Sequence, residues 1–141
     1  MKRLEAVLGI SAVFLLAVVA VSAQKPQAAV PPPNLAARGE YLATSVAMCV
    51  QCHSPRDEKN EIIGALRFTG APIPFKSPYA NREWASVAPN IRSLSGWTDE
   101  QMVMLLTEGR VGDRPVPRSP MPPFRMSPDD ARAIIAFLRA Q

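Results

Sequence analysis

Apolar positions recur with helical spacing in three parts of the chain. The clearest case is near the C-terminus, where Ala131, Ile134, Ile135 and Leu138 repeat at i, i+3, i+4 and i+7 while Arg132 and Arg139 fall off that face. Ser127 stands where an N-cap is needed, Pro128 occupies the first turn, and Asp129 and Asp130 meet the positive end of the helix dipole. The apolar stripe needs a partner. One is offered by a helix expected from about Leu35 through residues 49–53, capped by Asn34, with Leu35, Leu42, Val46 and Cys49 on roughly one face. Gly39 lies inside it, at a cost of about 1 kcal/mol relative to alanine, which means either close approach of another backbone or tolerance near a helix end. A further helix is predicted from Thr98, because Thr98-Asp99-Glu100-Gln101 forms a capping box, Met102, Leu105 and Leu106 give an inward face, and Gly109 supplies a stop.

A different apolar pattern opens the chain. Lys2 and Arg3 precede an apolar run from Ala6 to Val21, and Val21-Ser22-Ala23 ends it with small residues. This is the layout of a secretory signal over residues 1–23, cleaved after Ala23 or kept as an N-terminal anchor. Residues 24–34, with Pro26 and Pro31-Pro32-Pro33, read as an extended linker. Residues 35–141 then form one domain by length. Within it, residues 54–89 read as loop, broken from the first helix at Ser54-Pro55 and punctuated by Gly70-Ala71-Pro72-Ile73-Pro74.

Composition narrows the function. With 15 prolines in 141 residues, much of so short a chain is irregular and its own core is limited. The formal charge of +4 falls to +3 without Lys2, Arg3 and Glu5, and the basic residues are scattered, which argues against a nucleic-acid partner.

The candidate chemistry is concentrated in Cys49-Val50-Gln51-Cys52-His53, which holds both cysteines and the single histidine. Four ligands would be wanted for zinc and only three are present. A thioredoxin-like pair would want a βαβ context, and a disulfide between residues three apart would constrain little. Two thiols on one helical turn, with an imidazole directly after the second, form the attachment sequence of a c-type haem. An exported chain keeps such thiols outside the reducing cytoplasm. With His53 on one side of the iron, one axial position remains, and no second histidine exists to fill it. Met121, held between Pro120 and Pro122-Pro123, is the first candidate, and Met126, directly before the last helix cap, is the runner-up; Met102 and Met104 lie on a helix, where packing is the default. A backbone carbonyl from Pro72 or Pro74 is a candidate partner for the second imidazole nitrogen of His53. The Trp97 N–H is a candidate partner of a haem propionate, or else simple packing before the helix cap.

Cys49-Val50-Gln51-Cys52-His53, Met121-Pro122-Pro123 and the terminal amphipathic helix together resemble the class I cytochrome c family. Gly39-Glu40-Tyr41-Leu42, Asn90-Ile91, Gly96-Trp97-Thr98-Asp99 and Ile134-Ile135-Ala136-Phe137-Leu138 more particularly resemble haem modules of periplasmic dehydrogenase cytochrome subunits, although those carry several haems and this chain has one motif. The resemblance implies an all-α, cytochrome c-like fold of three to five short helices around one covalently attached haem c, with the first and last helices crossing. It implies Cys49 and Cys52 as thioether sites, His53 as proximal ligand and Met121 as distal ligand. The expected function is one-electron transfer in the periplasm, from a dehydrogenase or quinol-oxidising complex to an oxidase or reductase, without catalysis of its own and with membrane attachment only if the leader is retained. The alternative is a haem c enzyme or gas sensor with a vacant distal position.

Overall fold

The computed structural model describes residues 34–80, 82–112 and 117–141, so the expected leader at 1–23 and the linker up to residue 33 lie outside the described residues. Asn34 caps the first helix as expected, its side chain accepting a hydrogen bond from the Ala36 N–H at 3.1 Å, but that helix, α1, covers only Leu35–Tyr41. The chain continues as a π-helical segment over Leu42–Val46, turns at Met48, and starts a new helix, α2, over Cys49–His53. The single helix expected over 35–53 is therefore three pieces. Thr44 Oγ1 donates to the Glu40 carbonyl at 2.7 Å, the Ala47 N–H reaches back to the Leu42 carbonyl, and Met48 takes a left-handed conformation (φ 53°) that ends the ladder. The inward face differs too. Gly39, Leu42 and Ala43 are buried, whereas Leu35 and Val46 are more than half exposed.

The later helices follow the sequence signals closely. In α3, Asp99–Glu108, the Gln101 N–H donates to Thr98 Oγ1 at 3.2 Å and the Thr98 N–H donates to the Gln101 side chain at 3.1 Å, a complete capping box. Gly109 closes it in the left-handed conformation that glycine adopts freely, its N–H donating to the Leu105 carbonyl. In α4, Pro128–Arg139, the Ser127 hydroxyl accepts from the Asp130 N–H, and Ala131, Ile134, Ile135 and Leu138 are all buried.

The partner of the α4 stripe is α1, with α3 packed on α4 as well. Gly39 is the point of closest approach: a Cβ there would stand 2.8 Å from Phe137 Cβ and nearer still to the Ala133 carbonyl. Of the two readings of this glycine, close backbone approach is the one the structure supports. The Arg38–Asp130 ion pair, at 3.0 Å, ties the same two helices together. Arg139, expected to face away, instead bends back over the start of α3. Its guanidinium donates to the carbonyls of Ser93, Leu94 and Trp97 and to the Asp99 carboxylate, because those carbonyls end the preceding loop with no helical partner.

The stretch read as loop carries a short antiparallel pair, β1 at Ala71–Pro72 and β2 at Val87–Ala88, with Ala71 opposite Ala88 and Pro72 opposite Val87. Local bonds organise the rest. The buried Ser54 hydroxyl accepts from the Phe68 N–H at 3.0 Å, and the Gly70 N–H donates to the His53 carbonyl at 2.8 Å. Phe68 is fully buried and meets Phe137 edge to face, with ring centroids 5.6 Å apart. Four α-helices dominate the described residues, and none of their helices is long and apolar enough to cross a membrane.

Candidate functional site

Because β2 follows α2 through this pairing, the backbone just after Ala88 is carried alongside His53. His53 is buried, and its Nδ1 lies 2.7 Å from the Pro89 carbonyl oxygen. A carbonyl only accepts, so Nδ1 must carry the proton and Nε2 keeps the lone pair. The expected partners, Pro72 and Pro74, are not the ones used. Pro72 is engaged opposite Val87 in the ladder, and Pro74 lies farther out along the same hairpin. Burial lowers the pKa of His53 below its ordinary 6.5, with the Pro89 bond opposing the shift, so the imidazole is neutral at pH 7.

The two cysteines flank the same turn and are not joined to each other. Burial pushes the Cys49 thiol up to about 11, with a smaller contribution in the same direction from Cys52 and an opposing one from a backbone hydrogen bond, so Cys49 is protonated at neutral pH. Cys52 is exposed.

Cys49, Cys52 and His53 all open onto one cavity of about 510 Å³, a size that suits a cofactor. Its far walls come from α3, α4 and the proline-rich turn before α4, including Leu105, Leu106, Ile134, Leu138 and Met121. Met126 does not line it; that residue packs on the core and its N–H donates to the Leu106 carbonyl. Met104 points elsewhere, its sulfur accepting from the Gly112 N–H. Met102 does reach the cavity wall, from a buried position on α3. Met121 sits on a turn closed by its own N–H donating to the Arg118 carbonyl, with a proline on each side.

Those donors suit a haem. Two thiols stand on one wall beside a neutral imidazole with a free lone pair, a thioether is available in the same space, and the remaining walls are mostly aliphatic. Among the described residues no group of three or more His, Cys, Asp or Glu side chains is arranged to hold a bare metal ion. Asn90 and Arg118 bring side-chain N–H donors to the lining, groups of the kind that bind a carboxylate. Trp97 both lines the cavity and packs against the core. Sequence reasoning did not single out Pro89 or Arg118. The role of Pro89 is carried by its carbonyl, which leaves no side-chain signal, and Arg118 is one of many scattered arginines until the fold brings it to the cavity.

Comparison with known proteins gives one family match: the family model described as Cytochrome c matches residues 36–141. No curated protein matches the chain.

Proposed function

The chain belongs to the cytochrome c family, and from that premise we propose that it is a one-electron carrier with a single haem c bonded to Cys49 and Cys52 and ligated by His53 and Met121. The observation that carries this reading is that these four side chains line one apolar cavity. A haem bound there supplies a one-electron iron couple.

The protein residues divide the remaining work. Pro89 holds the His53 ring by its Nδ1 proton, so Nε2 is presented as a neutral donor with little freedom to rotate. Met121 offers a soft sulfur, which favours the ferrous state and raises the reduction potential. The prolines beside it restrict the backbone, so a weak ligand is kept in place at small entropic cost. Leu105, Leu106, Ile134 and Leu138 keep the interior dry. His53 and Met121 would together supply both protein donors to a bound iron, which would leave no position for a substrate and electron transfer through the cavity mouth as the chemistry that remains. Met48 and Val87 line that mouth and are both more than half exposed, offering an apolar rim to a transient partner.

We place the protein on the periplasmic side, exported by residues 1–23 or tethered through them, between a dehydrogenase or quinol-oxidising donor and an oxidase or reductase acceptor. The test is the spectrum and redox titration of protein produced in a periplasm with haem-ligation machinery. Haem absorbance that stays with the chain through denaturation and acid extraction, together with a reversible one-electron titration, is expected. Colourless exported protein, or haem lost on extraction, contradicts the proposal.

A further inference from the structure

The β1–β2 hairpin spans the two sides of the cavity. At its base, the Gly70 N–H donates to the His53 carbonyl, and the residue after β2, Pro89, accepts from His53 Nδ1. Gly70 is required there: its φ of 90° is left-handed, and a Cβ would stand 2.8 Å from the Ala88 carbonyl oxygen and from the Asn90 nitrogen. Farther out, the Ile73 N–H donates to the Ser86 carbonyl at 2.8 Å and extends the pairing. The returning strand makes a second attachment. The Ala85 N–H donates to the Ser119 carbonyl at 2.7 Å, and Trp84 and Ser119 form a parallel bridge. Ser119 is two residues before Met121, and Ala85 and Pro120 both line the cavity. Trp84 is itself held, its indole N–H donating to the Phe75 carbonyl at 3.1 Å and its ring meeting the Phe75 ring edge on, with centroids 6.0 Å apart.

We propose that this hairpin is a clasp that positions the methionine turn against the histidine side of the cavity, with Ala85 and Trp84 as positioning residues for Met121. The inference rests on the reading of His53 and Met121 as the two axial ligands. Its physical basis is that prolines restrict the turn locally but do not fix its distance from α2. A thioether is a weak ligand, so its occupancy depends on how much of the time the turn is held in reach. Among the described residues, the backbone hydrogen bond from Ala85 to Ser119 is the one that joins residues 71–88 to residues 117–123. Loosening it lowers the fraction of molecules with sulfur in place, and an outside ligand then competes more easily.

The test is displacement of the methionine by added imidazole in the ferric holoprotein, followed through loss of the sulfur-to-iron absorption band. A85P removes the N–H donor, and W84A removes the packing that holds the strand while leaving the Ala85 N–H intact. Apparent imidazole affinity is expected to rise about fivefold in A85P, the equilibrium effect of one ordinary hydrogen bond, and by a smaller factor in W84A, with W84F nearer the parent because the edge-on ring contact survives. Covalent haem content and helical circular dichroism should stay at parent levels in W84A and W84F, so the change is not general unfolding; these two variants decide the matter if A85P does not fold. Imidazole affinity in W84A equal to that of the parent overturns the clasp. Absence of the sulfur-to-iron band in the parent is a different failure, since it removes the His53 and Met121 reading and the clasp with it.

Discussion

The Nδ1 of His53 donates to the carbonyl of Pro89, 36 residues along the chain, across 2.7 Å. One bond thereby decides the tautomer of the only histidine and leaves Nε2 free to face the cavity.

A prediction about acid follows from that bond and from burial. Burial lowers the pKa of His53 below 6.5, so the folded protein binds the imidazole proton less readily than the unfolded chain does. The stability tied to the neutral ring is present above pH 6.5 and is lost as pH falls through the lowered value. The contribution of His53 to the stability of the chain before haem attachment, read by urea unfolding of the parent and His53→Gln, should therefore hold constant down to pH 6.5 and fall only below it. A His53-dependent loss of stability centred at or above pH 6.5 contradicts this environment.

Gly39 should tolerate no side chain. The obstacle to a methyl group is the Ala133 backbone and the Cβ of Phe137, neither of which is a flexible side-chain end. Gly39→Ala should cost about 3 kcal/mol, the upper part of the range for overpacking, read from the midpoint of guanidinium unfolding. A loss under about 1 kcal/mol would mean that α1 and α4 separate easily.

Ser54→Ala tests the loop that leaves the haem motif. The hydroxyl is buried and accepts from the Phe68 N–H, so its removal strands a buried donor, a change worth about 1–3 kcal/mol. Urea unfolding should show a loss in that range, with Ser54→Thr recovering part of it.

Arg139 connects the end of α4 to the start of α3 through three carbonyls and Asp99. Its side chain is about one-third exposed, which discounts the ionic part, and Arg139→Met should cost about 1–2 kcal/mol in urea unfolding. Asp99→Asn should cost less, because the three carbonyl bonds survive it.

The parts of this fold that were legible in the sequence are those with local signatures. The Thr98 and Ser127 caps, the Gly109 stop and the stripe from Ala131 to Leu138 depend on residues within a turn or two of one another, and the structure has them where the pattern put them. The all-α expectation holds in its coarse form as a helix-dominated member of the family. What was not legible depends on backbone groups meeting at long range. The π-helical break before Cys49 arises from Thr44 and a left-handed Met48, which no apolar periodicity reports, and so Leu35 and Val46 were placed on an inward face that is carried by Gly39, Leu42 and Ala43. The hairpin over residues 71–88 was hidden by its prolines and its shortness, and with it the choice of Pro89 over Pro72 and Pro74. Arg139 reads as a solvent residue until the carbonyls of residues 93–97 are seen beneath it. At the candidate site, unusual chemistry singles out the motif at residues 49–53 and Met121 in the sequence, while the shape of the cavity that they line together is visible only in the structure.

The central claim is that protein ligands close both faces of the iron, and carbon monoxide added to the reduced holoprotein tests it most directly. The parent protein and Met126→Ala should bind carbon monoxide sluggishly or not at all, and Met121→Ala should bind it rapidly and stoichiometrically. Rapid stoichiometric binding by the parent protein, or closure lost in Met126→Ala and kept in Met121→Ala, would contradict it.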